Sequence, residues 1–549
     1  MGKLGSIAAA ARQKASDKAF EVKVLHEAGV LGLHRPDKSA KVVSAFVRWG
    51  ASPALGITTA AIHYPHETAL IDERGALTFD QLHRRSNALA RAFERMGVGY
   101  GDGVGIMCRN HRGFIEATLA AAKIGASALY LNTMFAGPQL IEVTRREKPK
   151  ALVYDEEFSA LLDGVGEDVQ RVVGWAEGEG EVPTLDSLIA SAADSSLKPP
   201  PDKPRFVILT SGTTGTPKGA QRSSPDGLFA VAALIDRIPY RSRETMMVAA
   251  PLFHSWGFFH FIMSLPTAST LVLRRRFDPE ETLRAVRDHG AQVLAVVPVM
   301  LQRILRLSEE TLASYDLSSL RITSLSGSAL PGELAIEWMD RFGDNIYNLY
   351  GSTEVAYATV ATPADLRAAP GTAGRPPRGT VVRLYDEQGR EVPRGDVGRI
   401  FVGNEMSFEG YTGGGGKEAI DGLLSSGDVG HFDSAGRLFV DGRDDEMIVS
   451  GGENVFPREV EDLLADHGAV VEVAVIGVDD EEFGQRLKAF VVVAEEVEVS
   501  EEDLRAHVKA HLAGYKAPRE IEFMAELPRN ASGKILKKDL HALEAERSS

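Results

Sequence analysis

The densest chemistry in this chain lies in residues 208–220, ILTSGTTGTPKGA. Positions 211–219 hold three glycines, four hydroxyl residues and Lys218. Glycines let backbone N–H groups approach an anion, hydroxyls add donors, and a lysine adds a mobile charge. That combination suits a polyphosphate. It is not a Walker A loop, which needs Gly directly before the Lys; Pro217 stands there, so a P-loop kinase or GTPase is disfavoured. A second glycine run, TGGGGKEAI over residues 412–420, lacks a strand–loop–helix setting and reads as a mobile surface loop. His254 and His260 have no Cys or His companions at metal spacing, which argues against zinc. There is no G-x-S-x-G hydrolase elbow.

SGTTGTPKG resembles the phosphate-binding motif of the adenylate-forming superfamily, the AMP-binding enzymes, which includes acyl-CoA synthetases, nonribosomal peptide adenylation domains and beetle luciferases. Other segments resemble the family in the same order across about residues 60–540. The resemblance implies an ATP site of Thr210, Ser211, Gly212, Thr213, Thr214, Gly215 and Lys218 around the phosphates. In PLFHSWG (251–257) it implies that His254 lies beside the acyl carboxylate. In LSGSALPGEL (325–334), Gly327, Ser328 and Ala329 would line adenine and acyl group, with Ser328 narrowing a floor where relatives often have Gly. In NLYGSTE (348–354), Asn348, Leu349, Tyr350 and Gly351 would wall the nucleotide. Tyr350 would stack on adenine, Thr353 would bond the α-phosphate, and Glu354 would hold Mg²⁺. The residue types suit those tasks: an aromatic face for a purine and a hard carboxylate for a hard cation.

Further along, the resemblance makes Asp428 of SGDVGHFD the acceptor of the ribose hydroxyls and Arg443 of GRDDE a donor to the ribose. Asp445 would be the hinge, and Gly451 and Gly452 would line a CoA tunnel. Relatives often carry Trp or Phe before the Gly-Asp pair; here the run is Leu423-Leu424-Ser425. Lys534, in LPRNASGKILKKDL (527–540), would be the catalytic lysine bridging carboxylate and α-phosphate, while Lys537 and Lys538 face solvent.

These residues need a frame. Strand candidates at 206–209, 245–250, 270–273, 292–297, 322–325 and 346–349 alternate with helical patterns, which predicts a mainly parallel sheet covered by helices. Thr78 and Asp278-Pro279 read as helix starts. From about residue 375 the pattern becomes strand–turn–strand, at 381–392 and 431–440. The expected fold class is α/β. A helical lead-in (1–55) precedes a large body (56–442) whose β-rich subdomain spans 375–440. A small mobile α+β domain (443–549) follows the hinge.

With 549 residues the chain can bury full cores without staples, and its single cysteine, Cys108, rules out an internal disulfide. A net charge of −16 argues against general binding to nucleic acid or anionic lipid, and leaves room only for a local basic patch. No clean apolar run is long enough to span a membrane, the N-terminus is too polar for a secretory signal, and the C-terminus is no peroxisomal address. The expectation is a cytoplasmic enzyme, with room for peripheral membrane contact and no reading of its oligomeric state. Residues 252–263 carry no acid to pair a substrate ammonium and offer Phe258, Phe259, Phe261, Ile262 and Met263 instead. The reading is therefore an ATP-dependent fatty acid–CoA ligase, with ATP, Mg²⁺ and CoA as cofactor and co-substrates. An acyl-AMP ligase loading a carrier protein and an aryl acid–CoA ligase stand as alternatives; a luciferase-like oxygenase and a non-catalytic nucleotide-binding module rank below them.

Overall fold

Short apolar runs bounded by turn residues become the strands of two sheets that share a layer of helices. The computed structural model describes residues 3–547 apart from 33–34, 179, 203–204, 211–217, 223–226, 407, 413, 447, 451–452, 481–483, 495–496, 513 and 531–532. The first sheet has eight strands, in the order Thr359–Ala361, Ile346–Tyr350, Ile322–Leu325, Val293–Val296, Thr245–Val248, Thr270–Leu273, Thr68–Asp72, Gly75–Thr78. Its interior pairs are parallel and its two outermost pairs antiparallel. Val293–Val296 and Ile322–Leu325 are buried at every residue, as parallel strands covered on both faces must be.

The second sheet has seven strands, in the order Phe408–Tyr411, Lys218–Arg222, Phe206–Thr210, Ser127–Tyr130, Gly103–Met107, Ala151–Asp155, Gln170–Trp175. The strands expected between 206 and 349 therefore do not form one sheet. Phe206–Thr210 pairs in parallel with Ser127–Tyr130, far back in sequence, because the strand that follows it, Lys218–Arg222, folds back antiparallel and closes off its other side. The helix Arg112–Ile124 is buried at every position and touches strands of both sheets. His111 caps it: Nδ1 accepts the Gly113 N–H and Nε2 lies 2.7 Å from Asp155. With both ring nitrogens engaged, the buried Cys108–His111–Asp155 group is a helix cap.

The helix starts read from sequence are present. Thr78 and Gln81 form a reciprocal capping box, and Asp278 accepts the Glu281 N–H.

A third, five-stranded antiparallel sheet holds Val381–Tyr385, Gly398–Gly403, Leu423–Phe432, Ala419–Ile420 and Leu438–Arg443. The hairpin expected over 381–392 survives only as a turn and a Tyr385–Glu391 bridge. Pro393 offers no ladder donor, and the strand that pairs with Val381–Tyr385 is Gly398–Gly403. After the short turn Asp444–Glu446 comes the fourth sheet, covered by helices Pro457–Ala465, Glu501–His511 and Lys537–Arg547.

The N-terminal residues form three helices: α1 (Lys3–Glu27), α2 (Pro36–Trp49) and α3 (Pro53–His63). Phe20 of α1 packs on Phe229, 5.9 Å between ring centres, and Arg378 lies over Phe20 and pairs with Asp17. α3 lies so close to helix Ser255–Thr267 that a Cβ on Gly56 would stand 2.7 Å from Leu265 Cβ. Among the described residues no helix is long and apolar enough to cross a membrane.

Candidate active site

Strand ends and the loops that follow them converge on one cleft of about 1590 Å³. Lys218, His254, Gly327, Ser328, Ala329, Asn348, Leu349, Tyr350, Gly351, Thr353, Glu354, Asp428, Arg443 and Lys534 all line it. Segments far apart in sequence thus meet, as the motifs require. Thr210 ends its strand and pairs in register with Lys218, so the phosphate loop joins two antiparallel strands. Ser211, Gly212, Thr213, Thr214 and Gly215 lie outside the described residues, as do Gly451 and Gly452. Asp445 lies in the Asp444–Glu446 turn.

Tyr350 ends the strand Ile346–Tyr350 and carries its hydroxyl to Asp428 Oδ2 at 2.6 Å and Ser426 Oγ at 3.1 Å. Asp428 and Arg443 are cross-strand partners, with Arg443 Nη1 donating to Asp428 Oδ1 at 3.4 Å. Burial raises the Asp428 carboxyl above its ordinary range, opposed by the Tyr350 hydroxyl and the charges of Arg443, Lys534 and Lys417. Burial, followed by the neighbouring Asp428 charge, pushes the Tyr350 phenol well up.

Glu354 sits on a turn that Ser352 holds by accepting the Glu354 N–H at 3.2 Å and donating to Oε2 at 3.0 Å. Tyr411 donates to the other oxygen at 2.7 Å. Both donors are neutral hydroxyls, so they fix the carboxylate and leave lone pairs for a hard metal ion carried by phosphates. Ser255 Oγ lies 3.4 Å from Thr353 Oγ1.

The buried polar atoms on the cleft wall that lack a hydrogen-bond partner among the described residues include His254 Nε2 and Asn348 Oδ1. Buried polar groups are nearly always satisfied, so orphans on a cleft wall point to a ligand. Burial lowers His254 to about 4, so the ring is neutral at physiological pH.

Lys534 reaches the cleft from the C-terminal unit. Its backbone N–H bonds Asn530 Oδ1 at 2.9 Å, and Gly533, at φ +78°, packs so tightly that a Cβ would overlap Val299 of the body. Only glycine serves there, both for its left-handed backbone and for the close approach.

Besides the single sheet, three expectations fail. The glycine run 412–420 is not idle: Tyr411 beside it holds Glu354, and Thr412 Oγ1 accepts the Gly219 N–H at 3.1 Å. Lys417 lines the cleft and its charge acts on Asp428. The strand–loop–helix criterion misled, because the phosphate loop itself lies between strands and Phe408–Tyr411 pairs with the second of them. Lys537 does not face solvent. It lies 3.1 Å from Glu446 and 2.8 Å from Glu461; burial alone would lower its pKa, but the two carboxylates raise it. Residues 381–392 are the third, as above. Tyr411, Ser352, Ser426 and Ser255 went unread; a hydroxyl beside a motif residue was the available signal.

The AMP-binding enzyme family model matches residues 57–412, and the model of the AMP-binding enzyme C-terminal domain matches 459–534. The chain belongs to the AMP-binding enzymes. It is similar to the fatty acid–[acyl-carrier-protein] ligase ScoC of Streptomyces coeruleorubidus, 30% identical over 88% of this chain and 95% of that protein. It is 34% identical to a feruloyl-CoA synthase of an Amycolatopsis species, over 86% of this chain and 95% of that protein. Among solved structures it resembles the anthranilate CoA ligase AuaEII in complex with anthranoyl-AMP, with a TM-score of 0.81 and 26% identity over 90% of this chain and 97% of that one. This AMP-binding enzyme is an AMP-forming acid–thiol ligase that works through ATP-dependent adenylation, with the α/β body and α+β C-terminal unit expected from sequence. The narrower fatty-acid reading does not follow from these similarities, which favour aryl and other acyl-CoA ligases.

Proposed function

We propose that this AMP-binding enzyme is an acid–CoA ligase for an apolar carboxylic acid, foremost an aryl acid. One observation carries the reading. The wall running from His254 through Trp256, Phe258, Phe259, Ile262 and Met263 is apolar and aromatic, and no lysine, arginine or acid stands among the described lining residues between 228 and 263. An ammonium or a second carboxylate buried there would lack a counter-charge, whereas a ring or hydrocarbon body loses nothing on leaving water. Relatives named for ferulate, indoleacetate and anthranilate support the aryl choice. A linear fatty acid is the second reading, favoured by apolar lining that continues past Ile262 to Leu55, Val42 and Phe46 of the N-terminal helices.

In the first step the carboxylate attacks the α-phosphorus of ATP and pyrophosphate leaves. Lys534 holds carboxylate and α-phosphate together and offsets the growing negative charge. Thr353 donates to the phosphate; Asn348 Oδ1 accepts from the adenine amino group; Tyr350 stacks on the base. Asp428 accepts from the ribose hydroxyls beside Arg443. Neutral His254 lies by the carboxylate. Glu354, held by Tyr411 and Ser352, fits Mg²⁺ brought by ATP, which would neutralise phosphate charge. In the second step the CoA thiolate attacks the acyl carbon and AMP leaves. Rotation at Asp445 would exchange Lys534 for the tunnel at Gly451 and Gly452.

The test is pyrophosphate release with Mg-ATP over benzoates, cinnamates, arylacetates and fatty acids, each with and without CoA. CoA-stimulated turnover peaking on an aryl acid is expected. A peak on a fatty acid selects the second reading, and a single-turnover burst indifferent to CoA moves the acceptor to a carrier protein.

A further inference from the structure

Residues 22–49 precede the stretch matched by the AMP-binding enzyme model, which begins at 57. Exposed apolar side chains gather there. Leu31 is 40% exposed, Val43 64%, Phe46 52% and Val47 82%. On α2 they form a stripe, Ala40, Val43 and Val47 with Phe46 beside it, opposite the buried Ala45 and Trp49. The body thus covers one side of an amphipathic helix and leaves its other apolar side bare. Leu31, Val43 and Phe46 also line the cleft, and being exposed they rim an opening of it.

The charges beside this stripe are cationic. Residues 35–48 carry Arg35, Lys38, Lys41 and Arg48 against Asp37 alone, in a chain whose net charge is −16. Lys38 donates to the His63 carbonyl at 2.7 Å and Arg48 to the Leu197 carbonyl, so both are held in place with their charge intact. Arg35 pairs with Asp37 at 3.1 Å, and Lys41 is exposed. A helix with a bare apolar face and basic flank lies in a lipid–water interface, drawn to anionic headgroups. Four partly exposed side chains offer well under the roughly 800 Å² per partner of a stable protein interface. A bilayer needs no such area or shape match.

We propose that the α1–α2 lip seats on an anionic lipid bilayer, and that apolar acid dissolved in the lipid enters the cleft through this mouth. The second half rests on the apolar-acid reading above; the first does not. An apolar acid partitions into hydrocarbon, so an opening rimmed by Leu31, Val43 and Phe46 draws from the phase where the substrate is concentrated.

The test is flotation of the full chain with vesicles of phosphatidylcholine alone and with roughly one quarter phosphatidylglycerol added, where each basic contact strengthens binding only to the anionic surface. Co-flotation with the anionic vesicles is expected, weakened by salt at about 1 M, where screening is short-ranged. The variant Lys41→Glu/Val47→Glu changes two exposed side chains away from the cleft, so turnover of a water-soluble acid stays unchanged while flotation falls about tenfold or more. No flotation by the wild type, or equal flotation by the variant, overturns the docking. So does a wild-type dimer that the variant converts to monomer, which assigns the face to a second copy. A second arm supplies one apolar acid either in vesicles or on cyclodextrin. Loss of only the vesicle-borne rate in the variant supports delivery, and equal rates overturn it. Flotation without turnover of any apolar acid leaves docking intact and sinks the substrate reading instead.

Discussion

The roles proposed for Lys534 and Asp428 make separable predictions. Lys534 is offered to the cleft by a loop that touches the body through Gly533. Lys534→Ala should lower adenylation by roughly 10²–10³, the usual cost of a lost charge-stabilising donor. Thiolysis of supplied acyl-AMP should be largely spared, and equal loss of both half-reactions would remove the assigned role. Asp428 is an acceptor at both oxygens only when ionised, since protonation turns one of them into a donor, and burial raises its carboxyl. As pH falls through that raised value the acid is protonated and the ribose loses an acceptor. KM for ATP should therefore climb on the acid side at a higher pH than an ordinary carboxylate near about 4 would give. Asp428→Asn should flatten that limb and raise KM roughly tenfold to a hundredfold. His254, held near 4 by burial, contributes no limb near neutrality; a kcat/KM break at about 6.5 that vanishes in His254→Ala would contradict its neutral state.

At the element scale, the strand Phe408–Tyr411 and the glycine-rich loop after it do what the sequence did not reveal. Pairing with Lys218–Arg222 lays the strand along the one that follows the glycine–threonine loop, and Tyr411 donates to Glu354. Tyr411→Phe removes one hydrogen bond to a carboxylate, worth about 1.5–3 kcal/mol, so the Mg²⁺ needed for half-maximal adenylation should rise about tenfold or more. Unchanged Mg²⁺ dependence would reduce Tyr411 to packing. Strand positions were legible because apolar runs and turn residues are local signals: Thr270–Leu273 and Ile322–Leu325 match their expected bounds. Which sheet each strand joined was not legible. Phe206–Thr210 pairs with a strand some eighty residues earlier, and no local pattern encodes that choice.

For the whole molecule, the decisive contact is between the C-terminal unit and the body. Gly533 admits no Cβ against Val299, and Lys537 sits between Glu446 and Glu461. Gly533→Ala should undock the Lys534 loop and slow adenylation far more than thiolysis, with little change in thermal unfolding. Lys537→Met strands two carboxylates and should cost about 1–3 kcal/mol in the stability of the C-terminal unit. Domain-resolved hydrogen exchange would register the second effect and not the first.

The sequence by itself determined the chemistry on offer: a loop of glycines, hydroxyls and a lysine, a tyrosine and a glutamate in NLYGSTE, an acid in SGDVG, and a terminal lysine after a glycine. Those are properties of residue type and short spacing, and they survive without coordinates. Only the tertiary structure decided which neighbours complete them. Tyr411 reaches Glu354 because its strand pairs with a segment far back in the chain, Lys417 acts on Asp428 from the cleft wall, and Ser352 closes its own turn onto Glu354. Lys537 is half-buried in an inter-element ion pair that its exposed-looking sequence, KILKKDL, conceals. The bare face of α2 is the same lesson reversed. Its apolar residues recur at helical spacing, and only the packed body shows that one stripe of them is left over, because helix periodicity says that a face is apolar but not what, if anything, covers it.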